Sequence, residues 1–220
     1  MCPKRPSNPL KLPKTMTEFF STLEAWDKAA TLAINSWSCP ASDAFWLFMS
    51  NKRVWFPMYA VFVALLIWKL GWKRGLAMVL ATVLCITCVD QFCNLIKAWA
   101  ARLRPCCDPQ MLEWGVRVLE PHHPNYLYGF FSAHAANSIA FALCMVYAFR
   151  SWRDEHPEKA RLYTIGSIIL IVWAVLVGVS RIFVAKHFLG DVLVGFAVGS
   201  LLALALSYLT AFILKRLRVS

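Results

Sequence analysis

Twelve consecutive residues, Ser180 to Asp191 (SRIFVAKHFLGD), place Arg181, Lys186, His187 and Asp191 at the junction of two uncharged apolar runs. A charge at bilayer depth costs several kcal/mol unless it is paired or hydrated, so such a cluster points to a site. His187 and Asp191 are four residues apart; on a helix they share a face and come within hydrogen-bonding reach. An imidazole held by a carboxylate, with a guanidinium nearby, is equipped to attack a phosphoryl group. Two further clusters carry matching groups: Lys97, six residues and then Arg104-Pro105; and Ser132-Ala133-His134. All three lie near the same end of successive apolar segments, so an antiparallel bundle would bring them together. Taken singly, each has a plainer account. A lone cation snorkels at a helix end, a lone histidine bonds within a bundle, and a lone aspartate pairs with Lys186 or caps a helix. Their joint spacing favours a site.

In this order the clusters resemble the three-part signature of the type-2 phosphatidic acid phosphatase family, which shares its core with vanadium haloperoxidases. Lys97 and Arg104-Pro105 match the first part. Ser180, Arg181, His187 and Asp191 match the third at the family's spacing. The second part is usually Pro-Ser-Gly-His and here reads Phe131-Ser132-Ala133-His134, so Phe and Ala replace the Pro and Gly. The resemblance covers roughly residues 54–214. It implies an all-α membrane bundle that hydrolyses a lipid-linked phosphate with neither metal nor other cofactor. The substrates it implies are lipid A, undecaprenyl pyrophosphate, phosphatidylglycerophosphate and phosphatidic acid.

The resemblance also implies roles. His187 attacks phosphorus to give a phosphohistidine that water hydrolyses. Asp191 accepts a hydrogen bond from the other ring nitrogen and fixes the tautomer. His134 protonates the leaving oxygen. Lys97, Arg104 and Arg181 hold the phosphoryl oxygens. Ser132 and the backbone N–H of Ala133 or His134 complete an anion cradle at a helix start.

The elements that must position these residues follow from hydropathy. Val54–Trp68, Gly75–Ile96, Tyr126–Phe149, Leu162–Ser180 and Phe188–Leu214 approach the roughly 20 residues a bilayer requires. Asp90 interrupts the second of them and reads as a buried partner of another polar bundle residue. Upstream, Thr17–Trp37 has apolar residues at helical spacing but also Glu18, Glu24, Asp27 and Lys28; it reads as an interfacial helix or one packed on the bundle. The division is thus a basic N-terminal part, 1–53, and a bundle, 54–220. The bundle's alternation puts loops 97–125 and 181–187 on one side and the cations at 69–74, 150–161 and 215–218 on the other. The positive-inside rule makes the second side cytoplasmic, so the site faces outward from a bacterial cytoplasmic membrane. Lys4, Arg5, Lys11 and Lys14 favour an inside N terminus, which requires 17–50 to cross once and raises five segments to six.

Composition supports the membrane class. Hydrophobic residues make up 59% of the chain and charged residues 16%, well below the roughly 25% of soluble domains. Lys and Arg outnumber Asp and Glu by 23 to 12, but no polar basic face suited to nucleic acid is present. The polar, Pro-rich start does not read as a cleavable signal. Cys39 and either Cys106 or Cys107 could pair on an oxidising side. The adjacent His122-His123 offer no metal-ligand spacing. Two rivals to hydrolysis remain: phosphotransfer to a second lipid, and a transporter using its intramembrane charges as an ion path. A haloperoxidase is disfavoured, since those enzymes are soluble.

Overall fold

The computed structural model describes residues 14–37, 39–120 and 127–217. Eight α-helices run through them: α1 (Lys14–Asn35), α2 (Pro40–Ser50), α3 (Phe56–Ala100), α4 (Pro109–Glu113), α5 (Ala133–Ala148), α6 (Arg150–Glu155), α7 (Ala160–Phe183) and α8 (Leu189–Arg216). Together with the short 3-10 turns that lead into α3 and α7, the spans Lys52–Ala100, Pro157–Phe183 and Leu189–Arg216 are long and apolar enough to cross a membrane. The first has 49 residues, more than twice what one crossing needs. It breaks at Gly71, whose φ of 76° is a left-handed conformation that glycine adopts without a side-chain clash. The chain folds back there, so Phe62 and Leu66 of arm 56–70 line one apolar crevice with Val79 and Thr82 of arm 72–100. The two arms are the first two segments expected from hydropathy.

Helix α5 is the axis of the bundle. It contacts α3, α7 and α8, and ten of its sixteen residues are buried, five of them alanines. Surrounded by protein, it needs neither full bilayer length nor large side chains, and small residues let neighbouring backbones approach closely. The expected span 126–149 therefore becomes a sixteen-residue helix, because Ser132 caps its start by accepting the Ala135 N–H at 3.3 Å. The approach is tightest at α8, where a Cβ on Gly199 would stand 2.2 Å from the Ala136 carbonyl oxygen. Gly199→Leu is expected to push α5 and α8 apart. Overpacking of about 1–3 kcal/mol corresponds to a fall of about 3–10 °C in the detergent melting temperature. Unchanged melting would show that the two helices can separate without cost.

Helix α1 is long enough to cross a membrane but, with Glu18, Glu24, Asp27 and Lys28, not apolar enough to join the spans above. Its C-terminal half docks on the end of the bundle that holds loops 101–120 and 184–188. Lys28 pairs with Asp108 at 2.8 Å, Thr31 accepts the Leu189 N–H at 2.9 Å, and buried Asn35 donates to the carbonyls of Ile182 and Phe183. Asn35 thus caps the last turn of α7, whose carbonyls lack partners within the helix. Helix α2 lies on the same end, with Trp46 stacked on Phe183 at 3.9 Å and Asp43 paired with Arg117. Of the two readings of 17–37, interfacial or packed on the bundle, the docked half of α1 is the packed one, and it caps the site end.

Two other expectations change. Cys39 is exposed and free, while Cys106 sits beside Cys107, the sulfurs 3.5 Å apart. Asp90 is exposed rather than buried, although it does have a polar bundle partner, Asn137, at 2.8 Å. His122 and His123 lie outside the described residues, and no group of three metal-ligating side chains occurs among the described ones.

Candidate active site

Three loop segments, 101–108, 127–132 and 184–188, meet the first turn of α8 at the capped end of the bundle and are joined through their backbones. The Arg104 N–H donates to Leu127 at 3.0 Å, Gly129 to Arg102 at 2.8 Å, Cys106 to Ala185 at 3.0 Å and Ser132 to Asp191 at 3.0 Å. These bonds bring the three sequence clusters into register, although up to 94 residues separate them along the chain. Between them opens a cavity of about 720 Å³. Lys97, Arg104, Ala133, His134, Arg181 and His187 all line it. The other two expected residues lie behind the wall: Ser132 and Asp191 are both completely buried.

His187 is 2% exposed and sits in the loop between α7 and α8. Its Nδ1 faces Asp191 Oδ2 at 3.5 Å, longer than a closed hydrogen bond. With Nδ1 turned to Asp191, Nε2 is the nitrogen left for the cavity. Burial, reinforced by Arg104, Arg181 and Lys97, pushes His187 well below the ordinary histidine range. The ring is therefore neutral, the form that carries a nucleophilic lone pair.

Asp191 differs from expectation in its partners. Its Oδ2 accepts the Phe188 N–H at 3.0 Å, and its Oδ1 accepts Arg102 Nη1 at 2.6 Å. Arg102 Nη2 reaches Asp27 Oδ2 of α1 at 2.6 Å, and Asp27 Oδ1 accepts the Gly190 N–H at 2.7 Å. Burial opposes the charge on Arg102, but Asp191 and Asp27 outweigh it and hold the guanidinium more firmly protonated than usual. Sequence reasoning passed over Arg102 as one of the six residues between Lys97 and Arg104. The available signal was the charge itself, an arginine at the end of an apolar span.

The cation set is built for an anion. Lys52, Lys97, Arg104 and Arg181 all line the cavity, Lys52 being an addition to the expected three. Arg181 is 6% exposed; its Nη1 meets Ser50 Oγ of α2, while its Nε has no protein acceptor. Arg104 Nη1 donates to the Lys186 carbonyl at 3.3 Å, and its Nε likewise lacks a protein acceptor. Guanidinium N–H groups in this state suit phosphoryl oxygens. The α5 N terminus adds the Ala133 and His134 backbone N–H groups, which the helix cannot satisfy. Ser132 serves this cradle from behind, as the cap of α5, and does not line the cavity.

A helical membrane bundle with two histidines and four cations around one cavity has the equipment of a phosphoryl-transfer site. The chain belongs to the PAP2 superfamily, whose family model matches residues 71–215, and it is a membrane phosphatase. It is 30% identical over 186 residues to a lipid A 4'-phosphatase of Bacteroides thetaiotaomicron, covering 84% of this chain and 75% of the relative. It is 33% identical over 114 residues to phosphatidylglycerophosphatase B of Bacillus subtilis, covering 51% of this chain and 49% of the relative. The crystal structure of a transmembrane PAP2-type phosphatidylglycerolphosphate phosphatase from Bacillus subtilis superimposes with a TM-score of 0.68 at 22% identity, over 87% of this chain and 88% of that one. LpxE of Aquifex aeolicus gives 0.54 at 22% identity, over 81% and 92%.

Proposed function

We propose that this protein hydrolyses the phosphate of a lipid, with a phosphorylated glycolipid of the lipid A class as the favoured substrate. The observation that carries the reading is the single cavity shared by His134, His187, Lys97, Arg104 and Arg181. In the reaction, Nε2 of neutral His187 attacks phosphorus while the bond to the leaving oxygen breaks. His134, which carries a proton once the phosphate's negative charge has entered the cavity, gives it to that oxygen, and the dephosphorylated lipid departs. Neutral His134 then takes a proton from water, whose oxygen attacks phosphorus and breaks the P–N bond. Phosphate and free His187 are regenerated, and His134 is protonated again. The four cations offset charge on the phosphoryl oxygens through both steps, the task that metal ions perform in other phosphoryl-transfer enzymes.

The choice of lipid A rests on the Bacteroides thetaiotaomicron relative and on a second lipid A 4'-phosphatase, from Porphyromonas gingivalis, 31% identical over 169 residues. The orientation follows from charge. Lys69, Lys73, Arg74, Arg150, Arg153, Lys159, Arg161, Lys215 and Arg216 occupy the end opposite the site; by the positive-inside rule this charge supports the reading of a cavity open to the outer face of a bacterial cytoplasmic membrane. There a lipid can keep its tails in the bilayer while its phosphate enters the cavity.

Purified protein in detergent is expected to release inorganic phosphate from lipid A at an undiminished rate when excess EDTA is present to chelate divalent ions. Loss of release with EDTA would overturn the metal-free mechanism. Absence of release from lipid A, undecaprenyl pyrophosphate, phosphatidylglycerophosphate and phosphatidic acid alike, by folded protein, would overturn the reading itself.

A further inference from the structure

The phosphate-binding cations cluster at the loop end of the cavity, in or beside the ends of α3 and α7. Deeper in the membrane its wall changes character. Asp90, Asn94 and Lys97 follow one another at i, i+4 and i+7 on the second arm of α3, so they share a face. His134, Asn137, Ser138 and Phe141 form the facing stripe on α5. The two stripes start at the cations and descend together. At the helical rise, Asp90 lies about 10 Å below Lys97.

Among the described residues, Asp90 is the one carboxylate that lines the cavity. Among the described residues it makes no ion pair, and its hydrogen-bond partner is Asn137 Nδ2 at 2.8 Å. That bond turns Asn137 Oδ1 the other way, and this oxygen is buried with no protein donor. The lower wall thus offers acceptors, two carboxylate oxygens and an amide oxygen, directly beneath a cluster of donors. A carboxylate at this depth is costly unless it is hydrated or paired, and it repels phosphate. The group that satisfies it is a neutral donor on the same substrate, the hydroxyl or amide N–H of a sugar.

We propose that Asp90, Asn94 and Asn137 form a subsite for the sugar of a phosphorylated glycolipid, and that this subsite sets substrate preference. The inference rests on the lipid phosphatase reading above and adds the part of the substrate that lies beyond the phosphate. A bond between Asp90 and Asn137 that only joined α3 to α5 would affect every substrate alike, whereas a sugar subsite affects one class.

The test compares two substrates. One is a lipid-bearing glucosamine phosphate; the other is phosphatidic acid with matched acyl chains, whose glycerol carries no free hydroxyl. Wild-type protein is expected to prefer the glucosamine phosphate in kcat/KM. In Asp90→Asn, and separately in Asn94→Ala, the ratio of the two kcat/KM values is expected to fall about tenfold or more, as when a site loses a buried hydrogen bond to its substrate. The two variants sit one turn apart, so misfolding of one, read from its melting temperature, leaves the other to decide. An unchanged ratio in a folded variant overturns the subsite. So does a wild-type protein that hydrolyses phosphatidic acid but not the glucosamine phosphate, although that result leaves the phosphatase standing. Hydrolysis of neither substrate overturns the phosphatase reading and the subsite with it.

Discussion

His187→Ala is expected to reduce phosphate release by about 10³-fold or more and to abolish any covalent phosphoenzyme. In the proposed mechanism this side chain supplies the bond-forming atom, and no second nucleophile is assigned in the site. His134 faces the same cavity, but its place at the second position of α5 puts it among the N–H groups of the cradle, on the side of the bound anion that they hold. A brief reaction with ³²P-labelled lipid phosphate, quenched in alkali because phosphohistidine is acid-labile, should leave label on wild-type protein and none on His187→Ala. His134→Ala should behave differently, since slowed protonation of the leaving group still permits some phosphorylation and slows its hydrolysis. Label on His187→Ala at the wild-type level, or activity near wild type, would remove His187 from the nucleophile's position.

The same histidine sets an expectation for pH. Burial and the neighbouring cations lower its proton affinity, so its neutral, reactive form persists as pH falls below the ordinary histidine value near 6.5. The acid limb of kcat/KM attributable to His187 therefore lies below that value. A cation removed from the wall, as in Arg104→Ala, relieves part of the repulsion and moves that limb upward in pH.

Much of this site can be read from the sequence because its chemistry is carried by side chains at fixed spacing. Five of the expected ligands and nucleophiles, Lys97, Arg104, His134, Arg181 and His187, line the cavity together. The spans were legible for a similar reason: hydropathy is local, and the break at Gly71 falls between two apolar runs that were already separate. What escaped depends on partners far away in the chain. Ser132 is a helix cap because the Ala135 N–H bonds to it, which spacing alone does not distinguish from a hydroxyl turned to substrate. Asp27 sits off the apolar stripe of α1, where a carboxylate ordinarily meets water, yet it accepts from Gly190, 163 residues on. Asp90 read as a buried structural residue because the segment around it is apolar, whereas the cavity reaches down to it. Hydropathy locates a helix but does not say which of its faces meets lipid and which meets a cavity.

Arg102 is the largest of these omissions and gives the second strong expectation. Its guanidinium joins Asp27 of α1 to Asp191 of α8, 2.6 Å from each, and lies 4.1 Å above the Phe188 ring. Asp191 is fully buried, and its other oxygen is held by the Phe188 N–H and faces His187. Remove the guanidinium, and a buried carboxylate loses its counter-charge, a change that costs about 3–5 kcal/mol for a buried pair. Asp191 is then free to leave the geometry that turns Nε2 of His187 toward phosphorus. Arg102 touches no substrate, so it acts as a positioning residue, and the loss should fall on kcat. Arg102→Ala is expected to lower kcat about 100-fold, the scale found for partners that orient a reacting group, with KM changed by less than about threefold because the phosphate-binding cations are untouched. Arg102→Lys keeps the charge but reaches only one carboxylate, so it should recover part of the loss. A double-mutant cycle with Asp27→Asn adds the link to α1: if Asp27 acts on the reaction through Arg102, the two losses combine to less than their sum. Equal defects in Arg102→Ala and Arg102→Lys, or a loss expressed in KM alone, would reduce Arg102 to a fastening for α1.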